Sequence, residues 1–127
     1  MSKIIVNTPN APQWKGLPYP QAIKAGGFLF ISGQLGIDLA TGKPVEGARE
    51  QTRLIFHYIG EILEAAGLGF ESIVKTSCFL TNRERDYEAF NEVYRSYLDS
   101  APRFTVEVAG LAPGCFVEID AMALLEG

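Results

Sequence analysis

Two charged residue types near the end of the chain carry most of the chemistry the sequence offers. Arg103 follows a proline in the run Ala101–Val108 (APRFTVEV), and Glu118 and Asp120 alternate with apolar residues in Val117–Leu124 (VEIDAMAL). A guanidinium can hold a carboxylate through two parallel hydrogen bonds, fixing its orientation as well as its position. A carboxylate flanked by Phe116, Val117 and Ile119 is expected to be partly desolvated, which raises its pKa and suits it to proton transfer. Two plainer readings stand beside these. Arg103 could pair with Asp120 or Glu107, and Glu118 could be a strand residue facing solvent. Asp120 reads as structural.

Weaker candidates lie upstream. Tyr19 could hydrogen-bond to a planar ligand or stack on it, and Asn91 sits at the edge of a helical apolar stripe. Ser32 has no histidine base to make it a nucleophile. Gly33 interrupts a strand-like run and marks either a bulge or a place where a ligand nears the backbone. The only histidine, His57, lies mid-helix between Phe56 and Tyr58, so His-paired metal sites and a Ser-His-Asp arrangement are excluded. Cys78 and Cys115 match no metal or redox spacing. With no secretory signal in MSKIIVN, reduced thiols in a cytoplasmic setting are expected. The net charge of -4 and the absence of a basic run argue against nucleic acid as a partner, and no segment has the length of a membrane span.

These residues must be positioned by a small set of elements. At 127 residues, 47% hydrophobic and 20% charged, the chain suits one soluble globular domain spanning 1–127. Lys3 to Val6 reads as a first strand. Gln21 to Ala25 and Phe28 to Gly33 read as a hairpin turning at Gly26-Gly27, and Gln34 to Asp38 continues extended. Gly47 to Ala66 reads as a helix with its stripe at Thr52, Ile55, Ile59, Ile62, Leu63 and Ala66. Ile73 to Leu80 reads as a strand, and a second helix runs from an Asp86 cap to about Leu98.

The last two runs read as strands joined through Gly110–Gly114, which is short enough for an antiparallel hairpin. With both apolar sets turned to the core, Arg103, Thr105 and Glu107 would share a face with Glu118 and Asp120. The order is α+β: a mixed sheet with two helices on one face. The face left uncovered, half polar and carrying Phe116 and Met122, invites burial against other copies of the chain, with sites at the subunit boundaries.

Taken together, PYPQAI, FLFISGQLGID, TGKPVEG, EQT, FNEVYRSY and APRFTVEVAGL…VEIDAMA resemble the YjgF/RidA family of enamine/imine deaminases, in order and over nearly the whole chain. The resemblance implies a chorismate-mutase-like fold and a homotrimer with a central barrel and clefts between subunits. It also implies cofactor-independent hydrolysis of 2-imino acids of the 2-aminoacrylate type to 2-keto acids and ammonia. It assigns Arg103 to the substrate carboxylate and Glu118 to the attacking water, and it makes Tyr19, Ser32, Gly33, Asn91 and Thr105 pocket positions. This chain departs from the family pattern at Pro20, where serine is usual. It also has Phe104 where a small residue is common, and Thr105 where deaminases carry cysteine. Two other functions remain as alternatives: a trimeric 2-keto-acid-binding regulator without turnover, and a ribonuclease.

Overall fold

The computed structural model describes residues 2–14 and 16–125. Six strands form one mixed sheet: β1 (Ile4–Val6), β2 (Ala22–Ala25), β3 (Phe28–Leu35), β4 (Ile73–Leu80), β5 (Arg103–Glu107) and β6 (Val117–Leu124). Their order across the sheet is β1-β2-β3-β6-β4-β5. Two helices, α1 (Gly47–Ala65) and α2 (Arg83–Tyr94), pack on one face. Among the described residues no helix is long and apolar enough to cross a membrane.

The apolar periods account for the packing. Thr52, Ile55, Ile59, Ile62 and Leu63 of α1 are buried against Leu29 and Ile31 of β3 and Val117, Ile119, Ala121 and Ala123 of β6. Those strand residues alternate, so one face of the sheet is dry and the other is left to Phe30, Glu118, Asp120 and Met122. The α1 contact is close because Gly36 has no side chain: a Cβ there would lie 2.6 Å from the Gln51 backbone. Gln51, fully buried, uses that proximity to stitch loops together. Its amide donates to the Val45 and Gly114 carbonyls, each at 3.0 Å, and its carbonyl accepts from the Phe116 N–H at 2.7 Å. The β2–β3 turn is the Gly26-Gly27 pair, with φ of 58° and 88° as a two-residue hairpin requires.

Two expectations about the second half of the chain are overturned. The helix cap is Asn82, not Asp86: its side chain accepts from the Arg85 N–H at 3.0 Å, and α2 therefore starts a turn earlier and ends at Tyr94. Asp86 lies inside the first turn, where both its oxygens accept from Arg85 at 2.7 Å.

Nor do β5 and β6 form a hairpin. β4 lies between them, antiparallel to β6 and parallel to β5. A parallel pair needs a crossover, and α2 provides it. The link after β5 bridges the end of β4: Val108 N–H donates to the Leu80 carbonyl at 2.8 Å, and Thr81 N–H to the Phe116 carbonyl at 3.1 Å. Phe116 packs on the core rather than on the open face.

This topology reverses the facing of β5. Cys78 is in register with both Thr105 and Ile119, forming a row on the helix side. Phe79 is in register with both Val106 and Glu118, forming a row on the open side. Arg103 and Thr105 thus face α2, while Phe104 and Val106 stand outward, 42% and 41% exposed.

Candidate active site

The residues singled out in the sequence fall into two clusters, one on each side of the sheet. The first is built on β5 and α2. Tyr87, Asn91 and Tyr94 recur at helical spacing on one face of α2, and that face meets Arg103. The Arg103 Nη2 donates to Asn91 Oδ1 at 2.6 Å and to the Tyr87 hydroxyl at 3.3 Å. Its guanidinium carbon lies 4.5 Å from the Tyr94 ring centroid and 5.2 Å from that of Phe90. Stacking on an aromatic face holds a guanidinium in plane without using its donors.

Among the described residues no carboxylate pairs with Arg103. Glu107 is engaged elsewhere, accepting from the Arg83 N–H at 2.7 Å, and Asp120 lies on the opposite face of the sheet. The Arg103 cation is therefore fixed in place by neutral groups, with donors left over for an incoming acid.

Beneath it runs a buried polar chain. The Tyr94 hydroxyl and Thr76 Oγ1 are 2.7 Å apart, and the Cys78 thiol reaches Thr76 Oγ1 at 3.7 Å. Burial pushes the Cys78 thiol up, so it is held neutral and is not an activated nucleophile. Thr105 Oγ1 is buried here with no hydrogen-bond partner.

The second cluster lies on the open face, where β3 meets β6. The register slips between Ile31 and Gln34, so Ser32 and Gly33 form the expected bulge. The group that lies against Gly33 is the Glu118 carboxyl: a Cβ added at this glycine would overlap Glu118 Oε2. Burial, and then the nearby Asp120 charge, push the Glu118 carboxyl above the ordinary carboxylate range. Ser32 is committed to backbone. Its Oγ donates to the Pro20 carbonyl at 2.9 Å, and its N–H to the Gln21 carbonyl at 2.9 Å. Those bonds hold the Tyr19–Pro20 segment against the bulge, leaving Tyr19 55% exposed beside Ser32.

The chain thus brings Arg103, Asn91 and Thr105 together, and separately Tyr19, Ser32, Gly33 and Glu118. It does not bring Arg103 and Glu118 together. Sequence reasoning missed Tyr87 and Tyr94 as the support of Arg103, although the 87, 91, 94 spacing carried that signal. It also missed Gln21, whose buried amide accepts from Thr8 N–H at 2.7 Å and donates to the carbonyls of Thr8, Ala11 and Pro12, anchoring the loop that ends in Tyr19. His57 is exposed on α1 and joins neither cluster.

Fold and side-chain placement together define a small α+β protein with a mixed sheet clad by helices on one face only. A family model described as Endoribonuclease L-PSP matches residues 8–125. The chain belongs to this family, the YjgF/RidA family its motifs resemble. A RutC family protein of Pyrococcus horikoshii is 44% identical over 127 residues, covering 98% of this chain and 99% of its own. The 2-iminobutanoate/2-iminopropanoate deaminase of Capra hircus is 41% identical over 123 residues, covering 94% and 88%. A crystal structure of E. coli TdcF with bound serine matches with a TM-score of 0.88 at 32% identity, covering 96% of this chain and 98% of that one.

Proposed function

We propose that the protein is an enamine/imine deaminase that hydrolyses reactive 2-imino acids to 2-keto acids and ammonia, and that its active sites are assembled between copies of the chain in a homotrimer. The observation that carries this reading is the Arg103 guanidinium, held in place by Asn91, Tyr87 and Tyr94 and, among the described residues, paired with no carboxylate. Such a group is prepared for the carboxylate of a small acid. Relatives about 40% identical and named for this activity support the reaction class.

Arg103 binds the substrate carboxylate, which fixes the imine carbon. Glu118 holds a water on the other side of that carbon and takes its proton as the oxygen adds to the C=N bond. The resulting carbinolamine collapses: Glu118 gives its proton to the nitrogen and takes up the hydroxyl proton as the C–N bond breaks, so ammonia leaves and the C=O of the keto acid forms. The iminium carbon is already electrophilic, so positioning supplies much of the acceleration and the steps need no cofactor. Thr105 and Asn91 shape the acid pocket; Tyr19, Ser32 and Gly33 shape the water side.

Because Arg103 and Glu118 face opposite sides of one sheet, uniting them takes Arg103 from one copy and Glu118 from another. A heterologous contact of that kind, with a three-fold rotation, closes into the trimer proposed. Phe30, Phe104 and Val106, large and exposed on the open face, are the apolar surface such a ring would bury. The two free, buried cysteines suit a reducing, cytoplasmic setting. The net charge of -4 gives no support to RNA cleavage, despite the family model's name.

The test is direct. An amino-acid oxidase generates 2-iminopropanoate, semicarbazide traps what remains, and the protein is expected to hasten its disappearance. Saturable binding of pyruvate with no change in imine lifetime would replace the enzyme reading with a binding one. The Gly33 approach supplies a finer check. Gly33→Ala would force the Glu118 carboxylate aside while leaving the fold intact, since the overlapped atoms end a flexible side chain. A displacement of about 1 Å costs on the order of 100-fold in activity. We expect that loss with an unchanged melting temperature.

A further inference from the structure

A cavity of about 220 Å³ opens beside Ser32 and Tyr19, one residue from the Gly33–Glu118 approach, and its walls differ sharply in what they can offer a ligand. One end of each of several amide side chains that line it is already committed to the protein. Asn7 Oδ1 accepts from the Gln21 N–H at 2.9 Å, and the Gln13 amide donates to the Thr8 carbonyl at 2.9 Å. The Gln34 amide donates to the Ser32 carbonyl at 3.1 Å, and the Gln21 amide makes the loop bonds described above. The large side chains that stand exposed along it are mainly apolar. Trp14 and Leu17 are 42% and 45% exposed and line the cavity with the ring of Tyr19. Three large side chains held open on a loop anchored by a buried glutamine form a built apolar recess. A cavity of about 150 Å³ suffices for benzene.

We propose that this recess is the side-chain subsite of the deaminase, and that it makes 2-imino acids with an apolar side chain of leucine size the preferred substrates over the three-carbon imine. The proposal rests on the reading of Glu118 as the water-holding residue, because the recess adjoins the reacting carbon only if that carbon sits at Glu118. The carboxylate then points to Arg103, the water lies at Glu118, and the third substituent of the imine carbon, its side chain, runs past Ser32 into the space below Trp14.

The experiment compares imines derived from leucine and alanine in wild type, Trp14→Ala and Trp14→Phe. Each methylene recognised in an apolar pocket is worth about 10-fold or more in kcat/KM. The wild type is expected to favour the leucine-derived imine. Trp14→Ala is expected to lose about 10-fold on it and less than about 3-fold on the alanine-derived one, with Trp14→Phe close to wild type. Equal losses on both substrates, or a wild-type preference for the smaller imine, overturn the subsite.

Trp14 is the only tryptophan in the chain, so its fluorescence reads the recess independently of turnover. If neither imine is hydrolysed but 4-methyl-2-oxopentanoate, and not pyruvate, shifts that fluorescence saturably, the subsite stands and the deaminase reading falls. If neither imine is hydrolysed and neither acid shifts the fluorescence, both fall.

Discussion

Arg103→Lys is expected to lower kcat/KM for imine hydrolysis by about 100-fold while leaving the fold and its melting temperature unchanged. Lysine keeps the charge but not the fork. It cannot donate to Asn91 Oδ1 and present two parallel donors to an acid at once, and an ammonium lacks the planar group that Arg103 holds 4.5 Å from the Tyr94 ring centroid. The fold should survive because, among the described residues, Arg103 pairs with no carboxylate, so removing its fork leaves no buried countercharge there. Measured kinetically, the loss should fall on KM and kcat together, since the clamp both binds the acid and aims the imine carbon. An Arg103→Lys variant with wild-type kinetics would remove Arg103 from the site.

Glu118→Gln should cost about 100-fold or more in kcat, the scale of a positioned general base. The pH profile separates this from a structural effect. Burial and Asp120 raise the Glu118 pKa, and the working form is the ionised one. Activity should therefore be present above that raised pKa and be lost as pH falls through it, at higher pH than an ordinary carboxylate would give. Asp120→Asn removes the neighbouring charge, and its acid limb should move to lower pH. Glu118→Gln should have no such limb. An acid limb that stays put in Asp120→Asn, or persists in Glu118→Gln, would assign it to another group.

How far the sequence reached depended on the range of the interaction. Features set by local geometry were legible. The α1 stripe and the Gly26-Gly27 turn follow from a period of a few residues and from the φ of two neighbouring glycines. The N-cap was missed because Asn82 and Asp86 are both capping types four positions apart, and only the helix itself chooses between them.

Strand adjacency was not legible. Alternation states which residues of β5 share a side, but not which strand lies next to it, and the insertion of β4 turned Arg103 to the opposite face from Glu118. The misreading had a physical cue. Putting Phe104 and Val106 toward the core assumed that one chain must bury its own apolar strand face, whereas here that face is left outside. The candidate residues divide between two sides of the sheet, and that division is what the sequence could not carry. That division is also the strongest physical reason to look for the site between copies of the chain.

The measurement that tests this most directly mixes two inactive variants. Arg103→Ala keeps Glu118, and Glu118→Ala keeps Arg103. If each site joins Arg103 of one subunit to Glu118 of the next, equal amounts unfolded and refolded together should recover about a quarter of wild-type activity, because one boundary in four then unites two intact residues. If refolding the pair recovers nothing while wild type refolded in the same way regains full activity, Arg103 and Glu118 do not act across a subunit boundary, and the account of a shared site is wrong.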